Sequence, residues 1–141
     1  MLTESFELSH PAGIHVVPGL KESQLLSDLP EVESTKSDMG TGCVWYSLPL
    51  YNDEDVIVEV SLGFNGGVLE MVMMTDAHNR FGKSWAGWSE KKERQRAASM
   101  ELWLSKRGLN VGSYCWGSIW VGFDSKPGVG VAQARFSIES D

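Results

Sequence analysis

Val56, Val58, Val60, Leu62 and Phe64 alternate with Ile57, Glu59, Ser61 and Gly63, and Asn65-Gly66-Gly67 follows at once. Successive side chains of a strand point to opposite faces, so a period of two over this length predicts a strand with one buried face. The Asn-Gly-Gly run supplies the positive-φ residues of a tight turn, and the chain is expected to return as a hairpin. A loop at Asn65-Gly66 would pair Phe64 with Gly67, Leu62 with Leu69, Val60 with Met71 and Val58 with Met73. That register lays one Val/Leu/Met stripe on the core side and turns Glu59 and Glu70 to the other face. A slip of one residue would set the methionines opposite Ser61 and Glu59, so the pattern specifies its own pairing.

The rest of the chain supplies neighbours for this hairpin. Residues 1–19 read as short extended pieces. Leu20, Leu25, Leu26 and Leu29 are spaced for a short amphipathic helix ended by Pro30, and Glu31 to Gly42 reads as a loop. Val44 to Leu48 is rich in strand formers, and Asn52-Asp53-Glu54-Asp55 reads as a turn. Thr75 to Trp88 is irregular. A long helix starts after Ser89 as its N-cap, with Glu90 and Glu93 near the positive end of its dipole. Lys106 and Arg107 sit near the negative end, and Gly108 is the stop. Ala97, Met100, Trp103 and Leu104 form its buried stripe, and Lys91, Lys92, Arg94, Gln95 and Arg96 a solvated basic first half. Tyr114 to Phe123 and Val129 to Ile138 read as two strands joined by Asp124-Ser-Lys-Pro-Gly128. The expected fold is one α+β domain over residues 1–141: an antiparallel sheet of about five strands, a meander plus a C-terminal hairpin. It packs against one long helix and a short N-terminal helix.

Charge narrows the possible partners. The net charge is −7, and it is uneven: residues 1–80 hold 13 acids and 3 bases, residues 81–141 hold 6 acids and 9 bases. Nucleic-acid phosphates need neutralising cations, so no nucleic-acid partner is expected. An acidic half favours encounter with a basic protein surface. No apolar run approaches the roughly 20 residues that span a bilayer, so no membrane partner is expected. The N-terminal residues carry no basic n-region or apolar h-region, which predicts a cytosolic protein. Cys43 and Cys115 read as small buried hydrophobes in a reducing compartment.

Nothing in the motifs points to catalysis. Gly63-Phe-Asn-Gly66-Gly67 joins two strands rather than opening a helix, so it is no phosphate cradle. His78 beside Asp76 is a His–acid neighbour pair without a third group to orient it, and His10 and His15 lack the spacing of metal ligands. Asp53, Glu54 and Asp55 lack the alternation and distal Glu of a calcium loop. The expectation is a binding protein with no cofactor and no metal. Aromatic residues support that: Trp116, Ser118 and Trp120 would share one face of a strand, opposite Gly117, Ile119, Val121 and Phe123. Tryptophan dominates binding hot spots because it buries much area at low entropic cost.

Trp85…Trp88-Ser89, the charged helix ending Met100-Glu-Leu-Trp103-Leu104, and Tyr114-x-Trp116-Gly117-Ser118-Ile119…Phe123-Asp124-x-Lys126-x-Gly128 together resemble bacterial immunity proteins encoded beside secreted or contact-delivered toxins. The resemblance covers roughly residues 43–136 and is best toward the C-terminus. It implies an inhibitor that binds a cognate toxin protein stoichiometrically in the cytosol and does no chemistry of its own. Contact residues diverge within such families, so none is carried over by motif. The candidate contact residues are Asp53, Glu54, Asp55, Glu59 and Glu70 as an acidic surface, with Trp116 and Trp120 as aromatic anchors. Two other readings stay open: a small-ligand or carbohydrate-binding domain stacking its ligand on Trp85, Trp88, Trp116 or Trp120, and a secretion chaperone or adaptor.

Overall fold

The computed structural model describes residues 6–29, 43–78, 89–125 and 128–137. Their order is β1 (Leu8–His10), β2 (Ile14–Val16), α1 (Glu22–Asp28), β3 (Cys43–Ser47), β4 (Tyr51–Asp53), β5 (Val56–Asn65), β6 (Val68–Asp76), α2 (Glu90–Ser105), β7 (Gly112–Tyr114), β8 (Gly117–Asp124) and β9 (Val129–Phe136). Strands β3 to β9 form one antiparallel sheet of seven, ordered β3-β5-β6-β9-β8-β7, with β4 pairing β5 beyond the end of β3. The expected α+β architecture is present, with two more strands in the sheet than the five foreseen. Those two are the short edge strands β4 and β7, and β1 and β2 form a separate hairpin. Asn52 and Asp53 were expected in a turn, but with Tyr51 they pair with Val56 to Val58 and leave only Glu54 and Asp55 to reverse the chain.

The β5–β6 hairpin exists, but its register differs from expectation. The loop is Gly66-Gly67, both at positive φ (62° and 83°), so Asn65 pairs with Val68 and Phe64 with Leu69. Two glycines adopt that geometry without the steric cost a side chain would bring. A bulge at Glu70 then inserts one extra residue, because beyond it Gly63 faces Met71 and Leu62 faces Val72. Leu69 and Val72, three residues apart, can therefore both reach the core. Val72 and Met74 point inward with Val58, Val60, Leu62 and Phe64, all at most 1% exposed. Met71 and Met73, expected in the core, turn to the outer face beside Gly63 and Ser61.

The inner face is roofed by two bodies. Over one half lies α2, with Ala97, Met100, Trp103 and Leu104 buried as its spacing requires. Its N-cap is Ser89, whose hydroxyl accepts from Lys92 N–H at 3.1 Å. The helix comes close because β9 offers Gly130, Ala132 and Ala134 on that face. Over the other half lie the β1–β2 hairpin and α1. Phe6 meets Phe136 at 5.4 Å between ring centroids, and Leu25 is fully buried. Backbone bonds Glu22 N–H to Gly67 C=O (2.8 Å) and Leu69 N–H to Leu20 C=O (2.8 Å) fix the start of α1 to the hairpin.

A side-chain bond ties α1 to β3 as well: the Tyr46 hydroxyl donates to Glu22. That bond, then burial and the Glu22 charge, pushes the Tyr46 phenol up from 10.0 to about 12. An unfolded tyrosine ionises near pH 10, so from there to about 12 the unfolded state gives up a proton that the folded state keeps. Stability contributed by this group is complete below pH 10 and is lost as pH rises through about 12. Tyr46→Phe is therefore expected to flatten the fall in urea stability between pH 10 and 12. An unchanged slope would remove the assignment.

The first half of α2 is less solvated than expected. Arg96 is 7% exposed and lies against Glu93, 4% exposed, with Nε to Oε1 at 2.8 Å. Glu93 Oε1 also accepts from Gly130 N–H at 3.0 Å, and Arg96 donates to the Asp76 carbonyl. Asp76, fully buried, accepts from the N–H of Ile57 (3.2 Å) and His78 (3.0 Å) and from the Ser99 hydroxyl (2.7 Å). The physical reason is position: Glu93 and Arg96 lie one turn N-terminal of Ala97 and Met100 on the same helix face, which meets the ends of β6 and β9.

Candidate partner-binding surface

The outer face of the sheet follows from the register. One row across it runs Ser47, Ser61, Met73, Gln133 and Trp120, and the next runs Trp45, Gly63, Met71, Arg135 and Ser118. Glu59 and Thr75 begin a third. Two tryptophans lie flat on this face, each over a glycine. A Cβ on Gly63 would sit 2.9 Å from the Trp45 ring, and one on Gly122 would sit 2.7 Å from the Trp120 ring. Trp45 is half-buried, whereas Trp120 is 45% exposed. Met71, Met73 and Gln133 between them are half-buried and Arg135 is exposed. The result is a mixed face, with the Trp45 and Trp120 rings and Met71 and Met73 set among Ser47, Ser61, Gln133, Arg135 and Ser118.

The sequence-derived candidates divide into three groups in space. Glu59, Glu70 and Trp120 share the outer face. Glu70 sits at the bulge and accepts from the Asn65 side-chain amide at 3.3 Å. Trp116 does not join them. Tyr114 to Phe123 was expected to be one continuous strand, but Cys115-Trp116 is a turn between β7 and β8, with Tyr114 paired to Gly117. Gly117 makes that turn possible: its φ is +148°, and a Cβ there would lie 1.9 Å from the Arg135 carbonyl oxygen. Trp116 is thrown to the core side, stacked on Tyr114 at 4.9 Å and edge-on to Phe6 and Phe136, each at 5.6 Å. Cys115, in the same turn, is exposed and Cys43 half-buried, so the cysteines are not the buried pair expected.

Asp53, Glu54 and Asp55 form the third group, at the β4–β5 turn beside the last turn of α2. Asp53 accepts from the Trp103 indole N–H at 3.1 Å and from the Arg107 guanidinium. Arg107 lies 3.9 Å over the Trp103 ring and donates to the Trp103 carbonyl at 2.8 Å. Glu54, the described non-glycine residue with positive φ (58°), pairs with Lys106 at 3.3 Å. Cations at a helix C-terminus are already favoured by its dipole, and here they also neutralise two of the three acids. Beside them an open groove of about 660 Å³ is lined by Ser9, His10, Tyr51, Asp53 and Arg107, and neither Trp116 nor Trp120 borders it. His10 has both ring nitrogens engaged, Nε2 at 2.8 Å from the Pro49 carbonyl and Nδ1 accepting from Ala12 N–H at 3.0 Å.

Sequence reasoning missed Met71, Met73, Gln133 and Arg135 as surface residues. No sequence signal marked them, because their face is decided by the bulge at Glu70 and by the pairing of β6 with β9. Trp85 and Trp88 lie outside the described residues. Among the described residues no group of three or more His, Cys, Asp or Glu could hold a metal ion, and no helix is long and apolar enough to cross a membrane. Comparison with protein-family models, with curated proteins and with solved structures finds no match to this chain.

Proposed function

We propose that this chain is a protein-binding module whose outer sheet face seats a partner, and that it acts as an immunity protein holding a cognate toxin in a stoichiometric complex. The observation that carries the reading is the asymmetry of the sheet. Its inner face is closed by α2, α1 and the β1–β2 hairpin, while the outer face presents Trp120 at 45% exposure among Met71, Met73 and Gln133. A large aromatic held in one orientation by a glycine floor pays little entropy when covered, which is the property of a hot-spot residue. The motif resemblance in the C-terminal half supports the narrower assignment to toxin neutralisation. The net charge of −7 would speed encounter with a basic toxin at low salt. Asp53 and Glu54, neutralised by Arg107 and Lys106, add little to that field and are not free contact charges.

Co-expression with the product of the adjacent reading frame tests this function. Wild-type chain should restore growth of a bacterial host producing that protein and should co-purify with it one to one. Trp120→Ala should weaken the complex by about 2 kcal/mol, roughly 30-fold, with the fold intact. Absence of both protection and complex would end the immunity reading. Loss of the partner's export without toxin sensitivity would identify a chaperone instead.

A further inference from the structure

We infer that the centre of the outer face, between Trp120 and Arg135, takes an acidic side chain flanked by an apolar one from the partner protein. This rests on the outer face being the binding surface and names the chemistry it recognises. Trp120 stands directly opposite Gln133 on β9, and Arg135 follows two residues along the same strand, opposite Ser118 on one side and Met71 on the other. The two are diagonal neighbours on one face of adjacent strands, a spacing within reach of long side chains.

Their charge environment separates them from the rest of the molecule. Arg107, Arg94 and Arg96 all have carboxylate partners within the chain. Arg135 makes no ion pair or hydrogen bond through its side chain among the described residues, and it is exposed. On the outer face Glu70 precedes Met71 on the adjacent strand β6, its carboxylate accepting from the Asn65 amide, and Glu59 lies two strands across and four residues further along, roughly 16 Å away at ordinary strand spacing. Ser118, Gln133 and Met71, the immediate neighbours, are uncharged. A guanidinium with no carboxylate partner among the described residues is matched by a carboxylate, which it can hold through two parallel N–H···O bonds. The Trp120 ring lies toward Gly122, away from the Ser118–Arg135 row, and offers its apolar surface to a side chain farther along the partner segment. Long-range attraction and local contact thus differ in sign: the whole chain attracts a basic protein, and this corner selects an acidic residue on it.

The test uses defined peptides, so that its outcome is independent of the toxin's identity. Acetyl-Glu-Leu-Phe-Glu-amide and its Lys-for-Glu counterpart are titrated into the ¹⁵N-labelled full chain at about 0.15 M salt, where long-range charge effects are screened. The acidic peptide is expected to shift the Trp120 indole and Arg135 side-chain resonances saturably, with affinity about tenfold or more above that of the basic peptide. Arg135→Glu, an exposed substitution, should reverse the order, and Trp120→Ala should abolish saturation by either. Equal or stronger binding of the basic peptide overturns the inference. So does a silent Trp120 resonance with both peptides, or a preference that survives Arg135→Glu. Acidic-peptide binding without protection in the co-expression assay would sink the immunity reading alone. Protection without acidic preference would sink this inference alone.

Discussion

Arg96→Ala is expected to lower stability by about 3–5 kcal/mol, because it strips the partner from a buried carboxylate and leaves a charge uncompensated. Glu93 and Arg96 are 4% and 7% exposed, so water cannot replace the lost contacts without opening the helix–sheet joint. The change also takes away the hydrogen bond that Arg96 donates to the Asp76 carbonyl. In a chain of this size the loss corresponds to a fall in Tm on the order of 10 °C. Glu93→Ala should cost a comparable amount, since it removes the acceptor for Gly130 N–H as well as for Arg96. The double variant should cost clearly less than the sum, because each single change already removes the shared Glu93–Arg96 interaction. Replacing the pair by Leu and Met is often neutral for buried ion pairs. Here it should stay destabilising, by roughly 1–3 kcal/mol for each backbone group left unsatisfied. Urea denaturation of the four variants checks this, and a loss under 1 kcal/mol for both single variants would show that the pair is solvated.

This pair also shows what was readable in advance and what was not. The limits of α2 were legible, since Ser89 caps it and Gly108 follows it at φ 79°. The burial of Glu93 and Arg96 was legible in principle: carrying the Ala97, Met100, Trp103, Leu104 stripe back one turn arrives at them. Charge overrode periodicity, and the existence of a buried acceptor, Asp76, depended on where β6 ended. Strand β5 was legible because its alternation is unbroken from Val56 to Phe64. Its partner was not, because a bulge adds a residue without any composition signal at Glu70, and one residue reverses which methionines face the core. The same limit applies at Cys115-Trp116. Alternation continues through that turn on paper, and only the near contact of Gly117 with the Arg135 carbonyl reveals the break. On the outer face, strand parity set Trp120 opposite Ile119 and Val121 without deciding which side α2 covers, and Arg135 was hidden because its exposure depends on the pairing of β6, β9 and β8.

Gly130→Ala should be among the most destabilising single-methyl additions in the chain, at about 3 kcal/mol. A Cβ at Gly130 would lie 1.9 Å from the Glu93 carbonyl oxygen and 2.8 Å from the Ala97 nitrogen, both backbone atoms of α2. No rotamer change relieves such a contact, so the helix must move away from β9. Moving it uncovers Ala132 and Ala134, which are fully buried, and stretches the Gly130 N–H bond to Glu93. Gly122→Ala is the informative contrast. Its Cβ would meet only the outer edge of the Trp120 ring, at 2.7 Å, and that ring can swing into solvent on the exposed face. Gly122→Ala should therefore cost under about 1 kcal/mol of stability yet disturb Trp120, weakening partner binding while leaving the fold intact. A Gly130→Ala protein as stable as wild type would mean that α2 sits farther from β9 than the structure has it. A Gly122→Ala protein that binds its partner unchanged would remove Trp120 from the contact.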